Sequence, residues 1–425
     1  MAAAASLSRC WNHRLSETFS RLRPSAIRAL QPYLADPDMI SLGGGMPNPA
    51  TFPFEGATLT LKGGAEIPLQ GKDMEEALQY SPTSGIPRLV GALEKLQETY
   101  HGPSPSGARR SICVTTGSQD ALTRAFDMLK GPLLVESPTY SGSLAFLQPR
   151  KRTLVPVETD DGGLVVDKLA RMLSGWEQSH PGECKPQTLY TIPTGANPSG
   201  GSLDVGRRRA LYEVAREHDL IILEDDPYYF LQFDYENRLP SLMSMDVDER
   251  VLRFDSLSKV LSSGLRLGMV TGPDSLIHRI VLSMQGTCLH TSGVSQAMTL
   301  ALFDHWSNED GKGGFEAHAR SVADFYKYQR DAFMQSAEKH LDGLAEWGTP
   351  DAGMFAWIKL LGVTDSKSLI YERAVKANVL LVPGVEFDPQ RKGSPYVRAS
   401  FSTATPEQMD VALERFASVL KEQQT

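Results

Sequence analysis

The sequence predicts an α/β protein whose sheet is mostly parallel, with helices on both faces. Short apolar runs, which are typical of buried strands, alternate with helical patterns from about Ser111 to Gly272. A crossover helix is predicted from Val205 to His218, with an apolar face formed by Leu211, Val214 and Ala215. Ligands of such sheets lie at the carboxyl ends of the strands. The polar residues that follow each strand are therefore the candidates for a site.

The strand that begins near Ser111 leads into a glycine turn and a helix. Gly117 is followed by Ser118 and Gln119. A glycine turn that opens a helix exposes backbone N–H groups at the positive end of the helix dipole, which suits a phosphate. The alternative is an ordinary strand-to-helix turn with Ser118 as N-cap. The predicted buried face of the helix consists of Leu122, Ala125, Phe126 and Leu129.

Two later strands end in side chains that suit a flat, polar ligand. The strand from Leu133 leads to Tyr140, whose ring either stacks on a ligand or fills the core. A strand near Tyr190 leads to Asn197 within a segment rich in turn-forming residues. The Asn197 amide either donates to a ligand hydroxyl or serves only an Asn-Pro turn.

The apolar run from Leu220 ends in Asp225, with Tyr228 three residues later. A carboxylate at this position can face a pyridine nitrogen and keep it protonated, and the phenol can reach a ring hydroxyl from the same loop. The alternative role of Asp225 is that of an ordinary cap or turn aspartate, and the neighbouring Asp226 shares that possibility.

Lys259 lies in a run of groups that suit a phosphate and an aldehyde. Ser256 and Ser258 offer hydroxyls, and Arg266 offers a planar fork of donors. The lysine amine can form a Schiff base with an aldehyde. Together with the upstream residues, these groups predict a site for pyridoxal 5′-phosphate (PLP), with Lys259, Asp225 and Tyr140 as the catalytic residues.

These motifs, in this order, resemble the fold-type-I, class I/II PLP-dependent aminotransferases over nearly the whole chain. Gly-Ser-Gln, Ser-Pro-Thr-Tyr, Asn-Pro-Ser-Gly, Asp-Asp-Pro-Tyr-Tyr, Ser-Leu-Ser-Lys and Arg-Ala-Ser-Phe all occur. Longer runs, such as the one from Ile40 to Pro49, resemble family members that act on kynurenine and 2-aminoadipate. The resemblance implies a large PLP-binding domain at 55–304 and a smaller α/β domain formed by 28–54 and 305–425.

The resemblance also implies the remaining site residues and a homodimer. Arg398 would bind the substrate α-carboxylate, and Arg28, Gly45 and Asn197 would contact the substrate. Tyr80 would be donated across the dimer interface to the cofactor phosphate.

The implied reaction is transamination between an amino acid, such as 2-aminoadipate or kynurenine, and 2-oxoglutarate, which yields a 2-oxo acid and glutamate. Two alternatives remain open. One is a PLP-dependent lyase with the same site, and the other is a non-enzymatic, PLP-sensing regulator. The regulator normally carries a helix-turn-helix module, which the sequence does not show.

Composition excludes several other classes. The 425 residues include 43 basic and 51 acidic side chains, and the net charge of −8 argues against a nucleic-acid partner. The basic run at 207–209 is therefore predicted to be a solvated stretch of helix. Four widely spaced cysteines show no metal or disulfide pattern. No apolar run is long enough to predict a membrane span.

The first 27 residues are predicted to be a leader. The first 28 residues contain five arginines and a single acid, Glu17, as in a mitochondrial transit peptide. The predicted location is the mitochondrial matrix, and the alternative is a flexible basic leader on a cytoplasmic enzyme. At the other end, Thr405 and Gln408 predict a capping box. The helix that follows would bury Met409, Leu413, Phe416 and Leu420.

Overall fold

The computed structural model of the protein describes residues 10–36, 38–43, 45–308 and 314–424. Its contacts divide the chain into two compact units. Unit one contains residues 1–130 and 243–317, and unit two contains residues 131–242 and 318–425. These divisions differ from the boundaries at 54/55 and 304/305 that the sequence predicted, because they follow packing rather than family resemblance. The sequence-based domain boundaries stay a prediction.

The strands of the described residues are, in chain order, β1 (Gly56–Thr60), β2 (Glu66–Gln70), β3 (Arg110–Thr115), β4 (Leu133–Ser137), β5 (Leu154–Asp160), β6 (Gly163–Leu164), β7 (Thr188–Thr191), β8 (Ile221–Asp225), β9 (Val251–Ser256), β10 (Gly268–Pro273), β11 (Ala345–Trp347), β12 (Phe355–Leu360), β13 (Val382–Pro383) and β14 (Tyr396–Ser400).

The α-helices of the described residues are α1 (Glu17–Arg21), α2 (Lys72–Leu78), α3 (Pro87–His101), α4 (Ser118–Met128), α5 (Ser141–Leu147), α6 (Val166–Ser174), α7 (Trp176–Ser179), α8 (Val205–Glu217), α9 (Asp274–Gln285), α10 (Gly293–Asn308), α11 (Gly314–Leu341) and α12 (Pro406–Gln424).

In unit one, β10 lies between β3 and β9 and is antiparallel to both. The chain reverses between β9 and β10 through the segment that holds Lys259 and Arg266. A separate antiparallel hairpin joins β1 to β2. The carboxyl ends of β3 and β9 are followed by two of the predicted site segments, which begin at Thr116 and Leu257.

In unit two, the strand order is β8-β7-β4-β5-β6. The pairs from β8 through β5 are parallel, and only the short β6 is antiparallel. This confirms the predicted α/β class with its mostly parallel strands. A second sheet in the same unit has the antiparallel order β11-β12-β14-β13. Asp225 is the last residue of β8, and Arg398 lies in the middle of β14.

The predicted helices form with their predicted apolar faces buried. Helix α8 begins after Asp204, whose carboxylate accepts from the backbone N–H of Arg207. Helix α12 has the predicted capping box, in which Thr405 and Gln408 exchange side-chain-to-backbone hydrogen bonds. Leu129 is buried as predicted, although it is the C-cap of α4 and not part of the helix. The other residues predicted for the buried faces of α4, α8 and α12 are buried within these helices, namely Leu122, Ala125, Phe126, Leu211, Val214, Ala215, Met409, Leu413, Phe416 and Leu420.

The second half of the predicted leader is packed in unit one. Trp11 is 0% exposed, and its indole N–H donates to the carbonyl of Glu249 at 2.7 Å. Leu15 pairs with Leu129 in a β-bridge, and Phe19 of α1 is also buried. Residues 1–9 lie outside the described residues. Because these three apolar side chains are buried in unit one, residues 11–19 are part of the folded unit.

Candidate active site

The first group of site residues lies in unit one, around the start of α4. Ser118 is the first residue of the helix rather than its N-cap, because Gly117 occupies the cap with φ of 76°. A Cβ added to Gly117 would lie 2.5 Å from Nη2 of Arg266. The guanidinium therefore lies against the turn that exposes the first N–H groups of the helix. Together they form a cationic cradle for a phosphate.

The segment that carries Lys259 is held close to the same turn. The Leu257 backbone N–H donates to the Leu267 carbonyl at 3.1 Å, which closes the chain reversal between β9 and β10. Arg266 donates to the Ser258 hydroxyl at 3.4 Å. A Cβ at Gly268 would lie 2.4 Å from the Ser118 nitrogen, so only glycine lets β10 approach α4 this closely. Ser118, Gln119, Ser256, Ser258, Lys259 and Arg266 thus all belong to unit one.

The second group lies in unit two and centres on Asp225. The side chain is buried at the carboxyl end of β8, and its Oδ2 accepts from the Tyr190 hydroxyl at 2.8 Å. Tyr190 in turn accepts from the Ser143 hydroxyl at 3.1 Å. Burial raises the pKa of Tyr190 well above its usual value, as does the charge of Asp225. The phenol therefore keeps its proton and acts as a donor to the carboxylate.

The same unit contains a connected cluster of three polar side chains, Asn197, Tyr228 and Arg398. Arg398 donates from Nη1 to Oδ1 of Asn197 at 2.8 Å. The Asn197 amide also hydrogen-bonds the Tyr228 hydroxyl. Burial raises the pKa of Tyr228 far above the ordinary phenol value, with a further contribution from the charge of Asp225. The three residues are brought together although Asn197 and Arg398 are 201 positions apart in sequence.

Arg398 is a half-buried cation held between aromatic rings. Its guanidinium carbon lies 4.2 Å from the ring centre of Phe355 and 4.9 Å from that of Phe387. Burial lowers its pKa, an effect that Tyr228 and Tyr140 partly oppose. Within the described residues, its buried Nε has no hydrogen-bond partner. A carboxylate ligand would supply the missing acceptor and can bind two donors of the guanidinium at once.

Tyr140 lies at the cap of α5, where its side chain folds back over the first turn. A Cβ added to Gly142 would lie 2.3 Å from its ring, so the tyrosine occupies the space that a larger residue would need. Its hydroxyl influences the pKa of Tyr190, Tyr228 and Arg398. The ring is therefore part of the Asp225 cluster and remains half-exposed.

The basic run at 207–209 was predicted to be solvated, and this is wrong for Arg208. Its side chain is 0% exposed and donates to the carbonyls of Leu203, Pro240 and Pro193 and to the Thr194 hydroxyl. Hydrogen bonds to backbone carbonyls compensate the buried charge. Arg208 therefore ties α8 to the loop that leads to Asn197. Charge counting alone could not reveal this, because the acceptors come from distant turns.

Glu136 is a second buried group that the sequence analysis did not select. It lies on β4 and accepts from the Thr191 hydroxyl and from the Ile192 backbone N–H. Burial raises its pKa to about 8, the two hydrogen bonds lower it, and the charge of Asp225 raises it further. An acid directly after the apolar run Leu133–Val135, within the same predicted strand, was the available signal, since a buried strand rarely contains an unpaired carboxylate.

Glu136 should make stability fall as pH rises. Its folded pKa of about 8 exceeds the ordinary value of 4.5, so the folded state binds the extra proton between these two values. The contribution to stability is complete below the lower value and is lost as pH rises through about 8, with a slope of at most about 1.4 kcal/mol per pH unit.

Glu136→Gln should remove this slope. Thermal unfolding from pH 5 to 9 measures it, with exposed Glu217→Gln as the control. Identical pH slopes in wild type and Glu136→Gln would contradict the prediction.

Three other predicted residues lie in unit one. Arg28 is largely buried and donates to the Ser81 carbonyl at 3.1 Å. Burial lowers its pKa, and the neighbouring Tyr80 raises it. Tyr80 is 51% exposed and meets His290 edge-on, with ring centres 6.0 Å apart. Gly45 is exposed, and a Cβ there would meet no atom within 4 Å.

The described residues contain no group of acidic, histidine or cysteine side chains that could hold a metal ion. None of the helices in this part of the chain is both long and apolar enough to traverse a bilayer.

Residues 52–416 match the family Aminotransferase class I and II. The chain belongs to this family. It is also 44% identical over 422 residues to the mitochondrial kynurenine/alpha-aminoadipate aminotransferase of Bos taurus, covering 96% of this chain and 98% of the relative. This chain is therefore a PLP-dependent aminotransferase. Its fold type I agrees with the solved structures of related enzymes.

Two of those structures have high similarity over nearly the full length. Aminotransferase Aro8 of Candida albicans has a TM-score of 0.87 at 27% identity, covering 98% of both chains. The kynurenine aminotransferase of Pyrococcus horikoshii, in a complex with PMP, has a TM-score of 0.76 at 30% identity and covers 96% of this chain and 97% of the other.

Each group, taken by itself, fits a part of PLP. In unit one, the bare Gly117 turn, the start of α4 and the Arg266 guanidinium form an anion cradle beside a lysine-bearing turn. In unit two, a buried carboxylate lies near aromatic rings and beside a hydroxyl that Asn197 holds. These are the chemical complements of a phosphate, an aldehyde, a protonated pyridine and a ring hydroxyl.

Gly117→Ala should weaken PLP binding about tenfold or more, since the new methyl group would displace Arg266 from the phosphate cradle. Gly107 provides a matched control. It also has positive φ, at 73°, but a Cβ there would meet no atom within 4 Å. Both variants therefore carry backbone strain, and only one has the collision. Titration of the apoprotein with PLP, followed by absorbance, measures the difference. Equal losses would indicate that strain, and not the guanidinium, is responsible.

Proposed function

We propose that this protein transfers the amino group of 2-aminoadipate, kynurenine or a similar amino acid to 2-oxoglutarate, giving the 2-oxo acid and glutamate. The observation that supports this most is Arg398, a half-buried cation with an unsatisfied Nε between two aromatic rings. Such a group recognises the α-carboxylate that every amino-acid and 2-oxo-acid substrate shares. The names of the mammalian relatives support the substrate classes.

In this proposal, Ser118, Gln119, Ser256, Ser258 and Arg266 bind the phosphate. Lys259 holds the cofactor covalently through Nζ. Asn197 and Tyr228 bind the ring hydroxyl, and Tyr140 stacks on the ring.

Bound PLP supplies an aldehyde for the amino group and a ring that withdraws electrons from the substrate α-carbon. Asp225 keeps a proton on the ring nitrogen. Arg398 fixes the substrate carboxylate and so orients the α-hydrogen. Once the substrate amine has displaced it from the cofactor, Lys259 Nζ would take the proton from the substrate α-carbon as a general base and, as a general acid, deliver it to the carbon of the former aldehyde group.

Arg28 is the proposed partner of a distal carboxylate, which 2-aminoadipate and 2-oxoglutarate both carry. Within the described residues, the hydrogen bond that its guanidinium donates goes to a neutral acceptor, the Ser81 carbonyl. A carboxylate is a stronger acceptor for a guanidinium than a carbonyl. A dicarboxylic substrate would therefore replace the Ser81 contact of Arg28 with a stronger one. Kynurenine has no distal carboxylate, so Arg28 can keep its contact with Ser81 when kynurenine binds. Gly45 lies in the neighbouring loop segment and is proposed to let backbone approach the substrate.

A panel of amino donors with 2-oxoglutarate tests the proposal. Glutamate should form with 2-aminoadipate and kynurenine, and each donor should yield its own 2-oxo acid in equal amount. A cysteine S-conjugate is assayed in parallel, because a carbon–sulfur lyase would release its thiol together with ammonia and pyruvate, without forming glutamate. DNA binding is the third measurement, and it would support the regulator. Absence of glutamate with every donor would overturn the proposal.

The proposal includes a homodimer in which Tyr80 completes the phosphate site of the partner subunit. Tyr80 is exposed, although its ring is large and aromatic. The preceding segment also exposes large apolar side chains that a second copy would cover. They are Ile27, Leu30, Tyr33, Met39, Ile40, Leu42, Met46 and Phe54.

Mixing inactive Tyr80→Ala chains with inactive Lys259→Ala chains should restore activity. If the chains reassort freely, about a quarter of the sites combine an intact Lys259 with an intact Tyr80 from the partner subunit. Activity is measured after mixing, and subunit exchange is verified by mass. Lack of recovery after verified exchange would contradict the shared site.

We also propose import into the mitochondrial matrix, since the bovine relative is named mitochondrial and the first residues are basic. Because Trp11, Leu15 and Phe19 are buried, removal of all 27 leader residues would expose apolar surface of unit one. Processing ahead of Trp11 is therefore expected. Amino-terminal sequencing of the enzyme from isolated mitochondria tests this, and a mature chain that begins after Phe19 would contradict it.

A further inference from the structure

The register of the parallel strands places Tyr190 beside Asp225. Tyr190 of β7 pairs with Leu223 of β8. Asp225 is two residues beyond Leu223, so its side chain lies on the same face of the sheet. The Tyr190 hydroxyl donates to Oδ2 at 2.8 Å. This contact follows from strand pairing and does not depend on a loop.

Ser143 completes a chain of three polar groups. Its hydroxyl, in the first turn of α5, donates to the Tyr190 oxygen at 3.1 Å. Tyr190 and Ser143 are both 0% exposed, so their hydroxyls have no access to bulk water. Each donor is therefore committed to its acceptor, and the chain of hydrogen bonds points from Ser143 through Tyr190 to Asp225.

We propose that Tyr190, supported by Ser143, is a positioning residue that holds the Asp225 carboxylate for the cofactor's ring nitrogen. The inference rests on the proposed function, because it assigns Asp225 to that nitrogen. Tyr190 is not itself assigned as a catalytic residue, because it acts through Asp225.

The physical reason is the geometry of a carboxylate. Its two oxygens exchange positions when the group rotates, and the hydrogen bond from Tyr190 holds Oδ2 in place. In this proposal, the other oxygen, Oδ1, accepts from the N–H of the cofactor ring. The same bond stabilises the negative charge in a buried environment, where a carboxylate without donors would be costly. Burial keeps the pKa of Tyr190 high, so the donor does not ionise over the working range of the enzyme.

A double-mutant cycle on PLP affinity tests this. Tyr190→Phe removes only the hydroxyl and should weaken PLP binding about tenfold or more. In the Asp225→Asn background, the same substitution should change the affinity less than about twofold, because its target carboxylate is gone. Tyr212→Phe is the control, since Tyr212 is also buried in unit two. The dissociation constant of PLP from the apoprotein is the readout.

A cofactor analogue provides a second readout that does not require activity. In 1-deaza-PLP a carbon atom replaces the ring nitrogen, so Asp225 has no N–H to accept. Wild type and Tyr190→Phe should bind this analogue equally. Ser143→Ala should also weaken PLP binding, by less than Tyr190→Phe does. If Tyr190→Phe does not fold, Ser143→Ala still tests the proposal.

The outcomes separate this inference from the function on which it rests. Equal losses for Tyr190→Phe in both backgrounds, or a similar loss with the deaza analogue, would show a general structural role and overturn the inference. Normal PLP affinity in both Tyr190→Phe and Ser143→Ala, with a clear loss in Asp225→Asn, would overturn it as well and leave the proposed function intact. Normal affinity in Asp225→Asn would instead overturn the assignment of Asp225 itself.

Discussion

Replacing Lys259 with alanine is expected to abolish transamination. The substitution removes both the amine that holds the cofactor and the group that moves the α-proton. General acid–base catalysis alone contributes about 10²- to 10⁴-fold, so the total loss should exceed about 10⁴-fold. The phosphate cradle around Gly117 and Arg266 is unchanged, and the variant should still bind PLP noncovalently.

The attachment itself can be located directly. Borohydride reduction of the wild-type enzyme, followed by peptide mass spectrometry, should place the pyridoxyl group on Lys259. Lys130→Ala serves as the activity control, because Lys130 is an exposed lysine of unit one. An adduct on a different lysine, or an active Lys259→Ala variant, would refute the assignment.

Asp225→Asn is expected to lower kcat by about a hundredfold or more. A neutral amide cannot keep the proton on the ring nitrogen, and the energetic loss is that of a buried, charge-assisted hydrogen bond. The substitution preserves the size of the side chain, so the loss reflects the missing charge and not a cavity. KM for the amino donor should change much less, since the substrate carboxylate binds at Arg398.

The adjacent carboxylate provides the matched control. Asp226 is buried to a similar degree, at 1% exposed against 3% for Asp225. Steady-state kinetics of Asp226→Asn should show near-normal kcat if the variant folds. The reverse pattern, with Asp226→Asn inactive and Asp225→Asn active, would show that the other carboxylate faces the ring.

Local sequence patterns were sufficient for the fold class and for placing the candidate site residues on strands and turns. The spacing of apolar residues predicted α4, α8 and α12 with the faces that are buried, and the alternation of strands and helices predicted the parallel strands of unit two. Glycine and capping signals located the start of α4 and of α12. These features depend on residues within a few positions of each other, so the sequence contains them completely.

The contacts that position the site could not be read from local patterns. Arg208 was predicted to be solvated from the charge balance of the chain. Its acceptors at Leu203, Pro193 and Pro240 are distributed over separate turns, so no local pattern shows them. Glu136 was overlooked, although it directly follows an apolar run. Its partners, the Thr191 hydroxyl and the Ile192 backbone N–H, lie at the carboxyl end of the neighbouring strand β7.

By itself, the sequence determined which chemical groups this protein has for PLP and on which strands and turns they lie. Only the tertiary structure decided how those groups are held. Tyr190 and Asp225 are 35 residues apart, and they meet because the register of β7 on β8 puts both side chains on one face. Register depends on the packing of whole strands against their neighbours. No short stretch of sequence specifies it.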